Sequence, residues 1–331
     1  MSATGVVKHL AVFVAVVGLV VAGAAAAPLV ADSGSTAHAQ ITNEQYQPNN
    51  ILPDETAESG SITMNSDAAG KTVLVDVGHE NTVSADDIQP LVSTLVENGH
   101  QVRFYRGERT SLNESLRAAD AYVVANPQRG HTSDELAGVK AFTEAGGRVL
   151  VVGDPPAVRV SGGLLFARPQ QSSAKHTSLA SQYGVAFDSG YLYNMAENDN
   201  NFKSVYATPD ASTGLSEGVG RVVMRGVAPV TTAGGERALV GSEGTTFSAT
   251  RKSGEYAVAV QNGNVAALGD SDFLSRENVY DADNEVLVGN VADFLVSGDK
   301  NPGAPASPTA GTEGPARPPT GDSAPRPPTA A

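Results

Sequence analysis

The stretch KTVLVDVGHEN, residues 71–81, runs from an apolar segment directly into polar side chains. Its first part, KTVLVDV, is a short and nearly continuous apolar run, which is typical of a strand buried on both faces. Its second part places the acid Asp76 three residues before the imidazole of His79, and Asn81 follows two residues later. An acid and an imidazole at a strand exit are residue types that serve acid–base chemistry or bind metal ions.

Downstream of this stretch, helical and strand patterns alternate. Capped amphipathic segments predict helices at SADDIQPLVSTLVENG (84–99, caps at Ser84 and Asp86), SLNESLRAA (111–119, a capping box from Ser111 to Glu114) and TSDELAGVKAFTEAGG (132–147). Apolar runs predict strands between them at QVRFYR (101–106), DAYVVANP (120–127) and RVLVVGDPP (148–156). This alternation predicts an α/β fold with a mostly parallel sheet and helices on both faces.

The second half of the chain predicts additional antiparallel strands. Short β-rich runs are separated by Gly and Asn, and Asn262-Gly263 between two apolar runs is a strong hairpin signal. The run VAALGDSDFL (265–274) predicts one more strand, and NEVLVGNVADFLVSG (284–298) predicts a closing helix.

Polar residues follow several of the predicted parallel strands. Ligands bind beyond the carboxyl ends of the strands in such sheets. We therefore predict a ligand or partner edge formed by Asp76, His79, Asn81, Asn126, Asp154, Asp270, Ser271 and Asp272, with Gln128 beside Asn126.

Both ends of the chain read as non-globular. An uncharged run, residues 10–31, follows Lys8 and His9 and precedes the small-residue triplet Ala37-His38-Ala39, which predicts a signal sequence or membrane anchor over residues 1–39, with everything after residue 31 outside the cell. The pattern leaves open whether the segment is cleaved before Gln40. Polar residues 40–69 predict a flexible linker, residues 70–297 the folded domain, and the Pro/Ala/Thr-rich residues 298–331 a disordered tail.

Composition excludes several functions. The chain has no cysteine, so it has neither disulfides nor a thiol nucleophile. Its formal net charge of -14 repels nucleic acid phosphates and resembles that of proteins from salt-loving archaea.

The order of these motifs resembles the domain of unknown function 4350 family, within the class I glutamine amidotransferase-like, flavodoxin-like fold. The residues that carry the resemblance include DVGHEN (76–81), ADAYVVANP (119–127), SDELAGVKAFTEAGGRVLVVGDP (133–155), LASQYGVAF (179–187) and VAALGDSDFL (265–274). Similar domains occur in auxiliary subunits of gliding-type ABC transport systems and in an intraflagellar transport component, where the domain binds partners. The resemblance implies that Asp154-Pro155 stand where an amidotransferase has its cysteine. A carboxylate cannot form the thioester that glutamine hydrolysis requires, so amidase activity is excluded.

Several of these edge residues could serve catalysis or metal binding, but each also has a structural interpretation. Asp76 and His79 could form an acid–base pair or ligate a metal, but we favour an exposed His79 and an Asp76 that caps backbone amides. Ser271 in GDSDFL resembles the nucleophile of one esterase family, yet no histidine follows His176 to serve as its base. Asp76, Asp154, Asp270 and Asp272 offer oxygen ligands for Mg²⁺ or Ca²⁺, although we expect no cofactor.

The sequence therefore predicts a non-catalytic binding or assembly domain, tethered to the membrane by its N-terminal segment or secreted. The expected partner is a membrane protein or a component associated with a transporter or an ATPase, and no catalytic residue is assigned. The alternative is a metal-dependent extracellular hydrolase that acts on a sugar or an ester at the same edge.

Overall fold

The computed structural model describes residues 58–68, 70–161, 168–172 and 174–306, with the side chains of 157–172 excepted. The predicted signal or anchor (1–39) lies outside these residues, as do most of the predicted linker and tail. Within the described ranges, no helix is long and apolar enough to cross a membrane.

The strands in these ranges are numbered in chain order. They are β1 (Thr72–Asp76), β2 (Gln101–Tyr105), β3 (Ala121–Ala125), β4 (Arg148–Val152), β5 (Ala157–Ser161), β6 (Arg168–Ser172), β7 (Val185–Phe187), β8 (Leu192–Tyr193), β9 (Ser204–Pro209), β10 (Val222–Arg225), β11 (Val230–Thr232), β12 (Glu236–Gly241), β13 (Thr246–Phe247), β14 (Lys252–Ser253), β15 (Ala257–Asn262) and β16 (Val265–Leu268). The α-helices are α1 (Gln89–Glu97), α2 (Leu112–Arg117), α3 (Ser133–Glu144), α4 (Thr177–Ser181) and α5 (Asn284–Val296).

Nine strands form one sheet in the order β10-β9-β12-β15-β16-β4-β3-β1-β2. The half from β16 to β2 is parallel throughout, and the half from β10 to β16 is antiparallel. The sheet changes from one mode to the other at the hairpin between β15 and β16, where Asn262 pairs with Val265 and Gly263 adopts a φ of 58°. The predicted mixture of a parallel core and added antiparallel strands is confirmed, as is the hairpin.

Helices cover both faces of the sheet, so its central parallel strands bury alternate side chains in different cores. Val73 and Val75 of β1 face a core that α1 and α5 complete. Leu74, between them, faces the core formed with α2 and α3. Burial on both faces explains why β1 reads as a continuous apolar run.

Both α2 and α3 are capped, but the reciprocal capping box predicted for Ser111 and Glu114 is present only as the bond to the Ser111 side chain, and the full box occurs at α3. The Oγ of Ser111 accepts a hydrogen bond from the Glu114 amide at the start of α2, and Thr132 and Glu135 form a reciprocal capping box at α3. Helix α1, in contrast, begins at Gln89 and not near Ser84. The Ser84 hydroxyl and amide both bond the Asp87 carboxylate in a separate turn, and Pro90 is compatible only with the first helical turn.

Two segments that flank the central domain pack against it. In residues 58–68, Ile62 and Met64 contact the first core, and the amides of Asn65 and Ser66 donate to the Asp293 carboxylate of α5. After α5, the Lys300 ammonium donates to the carbonyl of Arg117 at the end of α2 over 3.0 Å. A cation there complements the negative end of the helix dipole.

Candidate functional site

The eight residues of the predicted edge lie at or after the ends of strands in the parallel half of the sheet. Because β1, β3, β4 and β16 run in one direction, their exits share an edge. The structure places seven of these residues in two clusters, and Asn81 lies between the strand exits. One cluster contains Asn126, Asp154, Asp270, Ser271 and Asp272, and the other contains Asp76 and His79 with residues that the sequence did not suggest.

Asn126, Asp154 and Ser271 form a closed hydrogen-bond network. We call these three residues, together with Asp270 and Asp272, the aspartate cluster. The Ser271 hydroxyl donates to Asp154 Oδ2 over 2.7 Å, and the Ser271 amide donates to Asp154 Oδ1 over 2.7 Å. The Asn126 side-chain amide donates to Asp154 Oδ2, while its carbonyl oxygen accepts from the Asp154 amide over 2.7 Å. Both carboxylate oxygens of Asp154 are therefore engaged.

Asp270 holds neighbouring backbone instead of facing an open site. It is 1% exposed, and its oxygens accept hydrogen bonds from the amides of Arg225 and Asp272 at 2.8 and 2.9 Å. Asp272 is exposed at the edge. The oxygens of Asp154 and Asp270 are thus committed to structural hydrogen bonds.

Burial raises the pKa of Asp154, although the hydrogen bonds from Ser271 and Asn126 oppose that shift. Burial also raises the pKa of Asp270 well above its usual range, and the nearby charges of Asp154 and Asp272 add to the effect. Protonation of a carboxyl in this cluster relieves the repulsion that neighbouring carboxylates create.

Asp76 and His79 lie in direct contact, and His79 is not the exposed loop residue that we expected. His79 is 1% exposed, and its Nδ1 lies 2.8 and 3.0 Å from the two Asp76 oxygens. Asp76 also accepts from the Gly78 amide over 3.1 Å, so its predicted capping role is present as well. The imidazole is buried because α3 covers this end of β1 and contributes Glu135, whose Oε2 lies 3.4 Å from His79 Nε2.

His131 completes this second group. Its ring stacks on His79 with centroids 4.0 Å apart and planes 20° from parallel. Its Nε2 lies 3.0 Å from the Tyr122 hydroxyl, while its Nδ1 is buried without a hydrogen-bond partner. We call Asp76, His79, His131, Glu135 and Tyr122 the histidine cluster.

The two imidazoles favour opposite protonation states. Burial disfavours the imidazolium of His79, but the hydrogen bond and charge of Asp76, with the charge of Glu135, outweigh burial and raise the His79 pKa. Burial and the adjacent His79 lower the pKa of His131 to about 4. The two neighbouring carboxylates thus favour the imidazolium form of His79, whereas burial favours the neutral form of His131.

Asn81 has a structural position between the strand exits. Its side-chain amide donates to the Ala125 carbonyl over 2.8 Å, and its Oδ1 accepts from the His79 amide over 3.2 Å. Asn81 therefore ties the loop after β1 to the end of β3.

No sequence pattern singled out His131, Glu135 or Tyr122 as site residues. Glu135 lay within a predicted capped helix, and Tyr122 lay within a predicted buried strand. His131 precedes the helix cap and carried no pattern of its own. Their proximity to His79 depends on how α3 docks on the sheet, which local patterns do not reveal.

A cavity of about 600 Å³ opens beside the histidine cluster. Glu135 and Tyr105 line it on the side of the cluster, Asn113 of α2 and Gly138 of α3 line it between the two helices, and Pro305 belongs to the segment that follows α5. Glu135 thus contacts both the cavity and the buried imidazole.

Comparisons with known proteins give a family and a fold. The sequence model of a domain of unknown function, DUF4350, matches residues 81–292, which is more than half of the chain. No curated protein matches the sequence. The mmIFT52 N-terminal domain is 15% identical with a TM-score of 0.55, covering 69% of this chain and 99% of that domain, and this likeness concerns the fold alone.

Two further solved structures are more distant. A protein described as ThuA-like from Bacteroides uniformis is 14% identical with a TM-score of 0.43, covering 74% of this chain and 99% of that one. A cytoplasmic protein of Salmonella typhimurium LT2 is 13% identical with a TM-score of 0.44, covering 68% of this chain and 99% of that one. At these TM-scores, neither likeness supports a statement about the fold or the function of this chain.

Proposed function

The chain belongs to the DUF4350 family, and we propose, from the side chains at the ends of its parallel strands, that it is a non-catalytic binding or assembly domain. Its partner would contact the carboxyl edge of the sheet, through the exposed groups that surround the aspartate and histidine clusters. The domain would act on the outer face of the membrane, tethered by its N-terminal segment or secreted.

One observation carries this proposal: the groups that could act as nucleophile and base are bonded to structural partners. The Ser271 hydroxyl donates to Asp154, and both Asp154 oxygens also accept other donors. Within the described residues, no histidine is hydrogen-bonded to Ser271. A hydrolytic serine needs an imidazole or an equivalent base within hydrogen-bond reach, so this edge is better suited to recognition than to acyl transfer.

We also propose that the domain has the class I glutamine amidotransferase-like, flavodoxin-like fold. Its support is the turn after β4, where Asp154 follows Gly153, together with the absence of cysteine from the sequence. A carboxylate that accepts hydrogen bonds from Ser271 and Asn126 cannot replace the thiolate that glutamine hydrolysis requires. The chain would retain the scaffold without the amidase reaction.

The sequence supports the cellular setting and the choice of partner. The uncharged run over residues 10–31 and the preceding Lys8 favour export. The net charge of -14 favours a haloarchaeal source and disfavours nucleic acid as a partner. A membrane protein or a component associated with a transporter or an ATPase is the partner class that we propose.

A metal-dependent extracellular hydrolase is the second candidate, and the ligand-type side chains of Asp76, His79 and His131 favour it. The aspartate cluster gives it little support, because Asp154 and Asp270 already accept backbone and side-chain donors. Turnover of a sugar or ester substrate that is lost on chelation and restored by metal would establish this candidate over the binding function.

Site-specific photo-crosslinking in the native host tests the binding edge. A crosslinking amino acid replaces the exposed Glu80 or Asp272 at the carboxyl edge, and matched controls replace the exposed Glu97 or Glu236 near the opposite edge. We expect one discrete adduct with an extracytoplasmic or membrane protein from both edge positions and from neither control. Adducts that form equally from all four positions, or only from the controls, would place the partner elsewhere.

A further inference from the structure

Asp76, His79 and His131 form a compact group of side chains that can ligate a metal. Their candidate ligand atoms all lie within 4.8 Å of one another, and the three residues are 2%, 1% and 7% exposed. One carboxylate and two imidazoles are the donor set of many sites that hold a divalent transition metal and leave a position open. The burial of these three side chains distinguishes the group from a cluster of carboxylates on the protein surface.

The pair Asp76 and His79 already has a spacing that suits shared coordination. His79 Nδ1 lies 2.8 Å from Asp76 Oδ2. Zinc bonds nitrogen and carboxylate oxygen at about 2.1 Å, so two of its ligands lie roughly 3.4 Å apart in a tetrahedral arrangement. A modest widening of the contact, with loss of its proton, would admit the ion.

Each imidazole is also oriented from its other nitrogen by a fixed oxygen. His79 Nε2 faces Glu135 Oε2 at 3.4 Å, and Glu135 is itself held by the Thr132 amide and hydroxyl at 2.8 and 2.9 Å. His131 Nε2 faces the Tyr122 hydroxyl at 3.0 Å. An outer oxygen that accepts the second ring N–H is the usual support of a metal-binding histidine.

The remaining nitrogen of His131 lacks a partner. His131 Nδ1 is buried and makes no hydrogen bond. A buried polar atom without a partner costs free energy, and such atoms are uncommon in folded proteins. A metal ion bound at this nitrogen would supply the missing interaction.

The stacked rings show what binding requires. The lone pair of an imidazole nitrogen lies in the ring plane. Two rings with centroids 4.0 Å apart and planes 20° from parallel do not direct their lone pairs at a common ion. Binding therefore requires the His131 ring to tilt relative to His79 while its Nε2 stays at the Tyr122 hydroxyl. His131 lies in the segment between β3 and α3, directly after the exposed Gly130, and a side-chain rotation there leaves the sheet unchanged.

We propose that Asp76, His79 and His131 bind one divalent transition-metal ion of the zinc class, with Glu135 and Tyr122 orienting the two imidazoles. Two nitrogen ligands favour such an ion over Mg²⁺ or Ca²⁺, which prefer oxygen. The ion would join the loop after β1 to the start of α3 at the proposed binding edge. This inference goes beyond the binding function and does not depend on the identity of a partner.

Calorimetric titration of the full chain, without a polyhistidine tag, with Zn²⁺ tests the site, and Co²⁺ serves as a spectroscopic substitute. We expect one Zn²⁺ per chain and the visible d–d absorption of four-coordinate Co²⁺. His131→Phe keeps a ring that can stack on His79 but removes both nitrogens, and it should weaken Zn²⁺ binding at least 100-fold. Glu135→Gln should weaken it by about 10- to 100-fold, as outer-shell changes do.

His176→Gln is the matched control, because His176 is a buried histidine that contacts Phe187 and not the cluster. It should leave Zn²⁺ affinity and the Co²⁺ spectrum unchanged, and circular dichroism checks that every variant folds. Absence of stoichiometric Zn²⁺ binding would overturn the proposal, and so would binding that His131→Phe leaves intact. No partner is present, so failure here is distinct from failure of the crosslinking experiment.

Discussion

At the scale of single residues, Asn126 does most to organise the aspartate cluster. It is buried with a φ of 46°, a left-handed conformation that Asn tolerates better than most residues. Its side chain contacts Asp154 and Ser271, so it links the exits of β3, β4 and β16. The sequence placed Asn126 at this edge, but it could not reveal the conformation that turns the side chain into the network.

Substitution of Asn126 separates its two contributions. Asn126→Ala removes the hydrogen bonds and places a Cβ-bearing residue in a left-handed conformation, so we expect a loss of about 2–4 kcal/mol in the free energy of unfolding. Asn126→Gly removes the same hydrogen bonds without the conformational strain, and it should be about 1 kcal/mol less destabilising than the alanine variant. Urea denaturation measures both values. Equal stability of the two variants would show that the left-handed conformation at position 126 does not strain the alanine variant.

His176 gives a pH dependence that arises outside the aspartate and histidine clusters. It is 4% exposed and packs on Phe187 with ring centroids 4.1 Å apart, and burial lowers its pKa to about 4. The unfolded chain protonates near pH 6.5, so His176 leaves stability unaffected above that value. As the pH falls from 6.5 to 4, protonation of the unfolded state should remove about 3 kcal/mol.

The difference between wild type and His176→Gln isolates this effect from the other titrating groups. Denaturation at pH 8, 6, 5 and 4 should show the wild type losing stability relative to the variant only below pH 6.5. Parallel stability curves for the two proteins across that range would contradict the assignment.

At the scale of elements, the sequence foretold those whose signals are local. The cap at Ser111, a capped start of α3 and the hairpin at Asn262-Gly263 are all present, although the reciprocal capping box is at Thr132 and Glu135 and not at Ser111 and Glu114. The start of α1 was wrong because Ser84 and Asp87 form their own turn. The histidine cluster could not be foreseen, since Asp76 and Glu135 are far apart in sequence and meet only when α3 packs on the sheet.

Gly289 in α5 is required by a neighbouring segment and not by the helix. Alanine there would normally favour a helix by up to about 1 kcal/mol. A Cβ at this position, however, would lie 2.2 Å from the Thr63 carbonyl oxygen. We expect Gly289→Ala to displace residues 58–68 from α5 and to leave the sheet intact.

Hydrogen exchange with mass spectrometry measures this displacement. Amides of residues 58–68 should lose protection in Gly289→Ala, whereas β1 and β3 should not. Asp293→Ala removes the acceptor of the Asn65 and Ser66 amides and should give the same pattern by an independent route. Unchanged exchange of that segment in both variants would show that these contacts do not hold it.

At the scale of the whole molecule, net charge determines the response to salt. The formal charge of -14 creates self-repulsion that opposes the compact state. Screening by salt relieves it, and the Debye length falls to about 3 Å at 1 M salt. If the proposed haloarchaeal source is right, Tm should rise with KCl into the molar range.

Thermal unfolding across a KCl series checks this prediction, with sucrose as an uncharged comparison. Sucrose strengthens burial without screening charge, so it should raise Tm by a smaller amount at matched osmolality. A Tm that is flat or falls with KCl would contradict the role assigned to the acidic composition and would weaken the proposed source.

The central claim is that the carboxyl edge of the sheet is the binding surface, and affinity for the partner recovered by crosslinking tests it most directly. Titration should show binding at least tenfold weaker for the charge-reversal variant Glu80→Arg/Asp272→Arg, and unchanged for the matched control Glu97→Arg/Glu236→Arg, in which two exposed acids near the opposite edge are reversed. Unchanged affinity of the first variant, or an equal loss in both, would contradict the account.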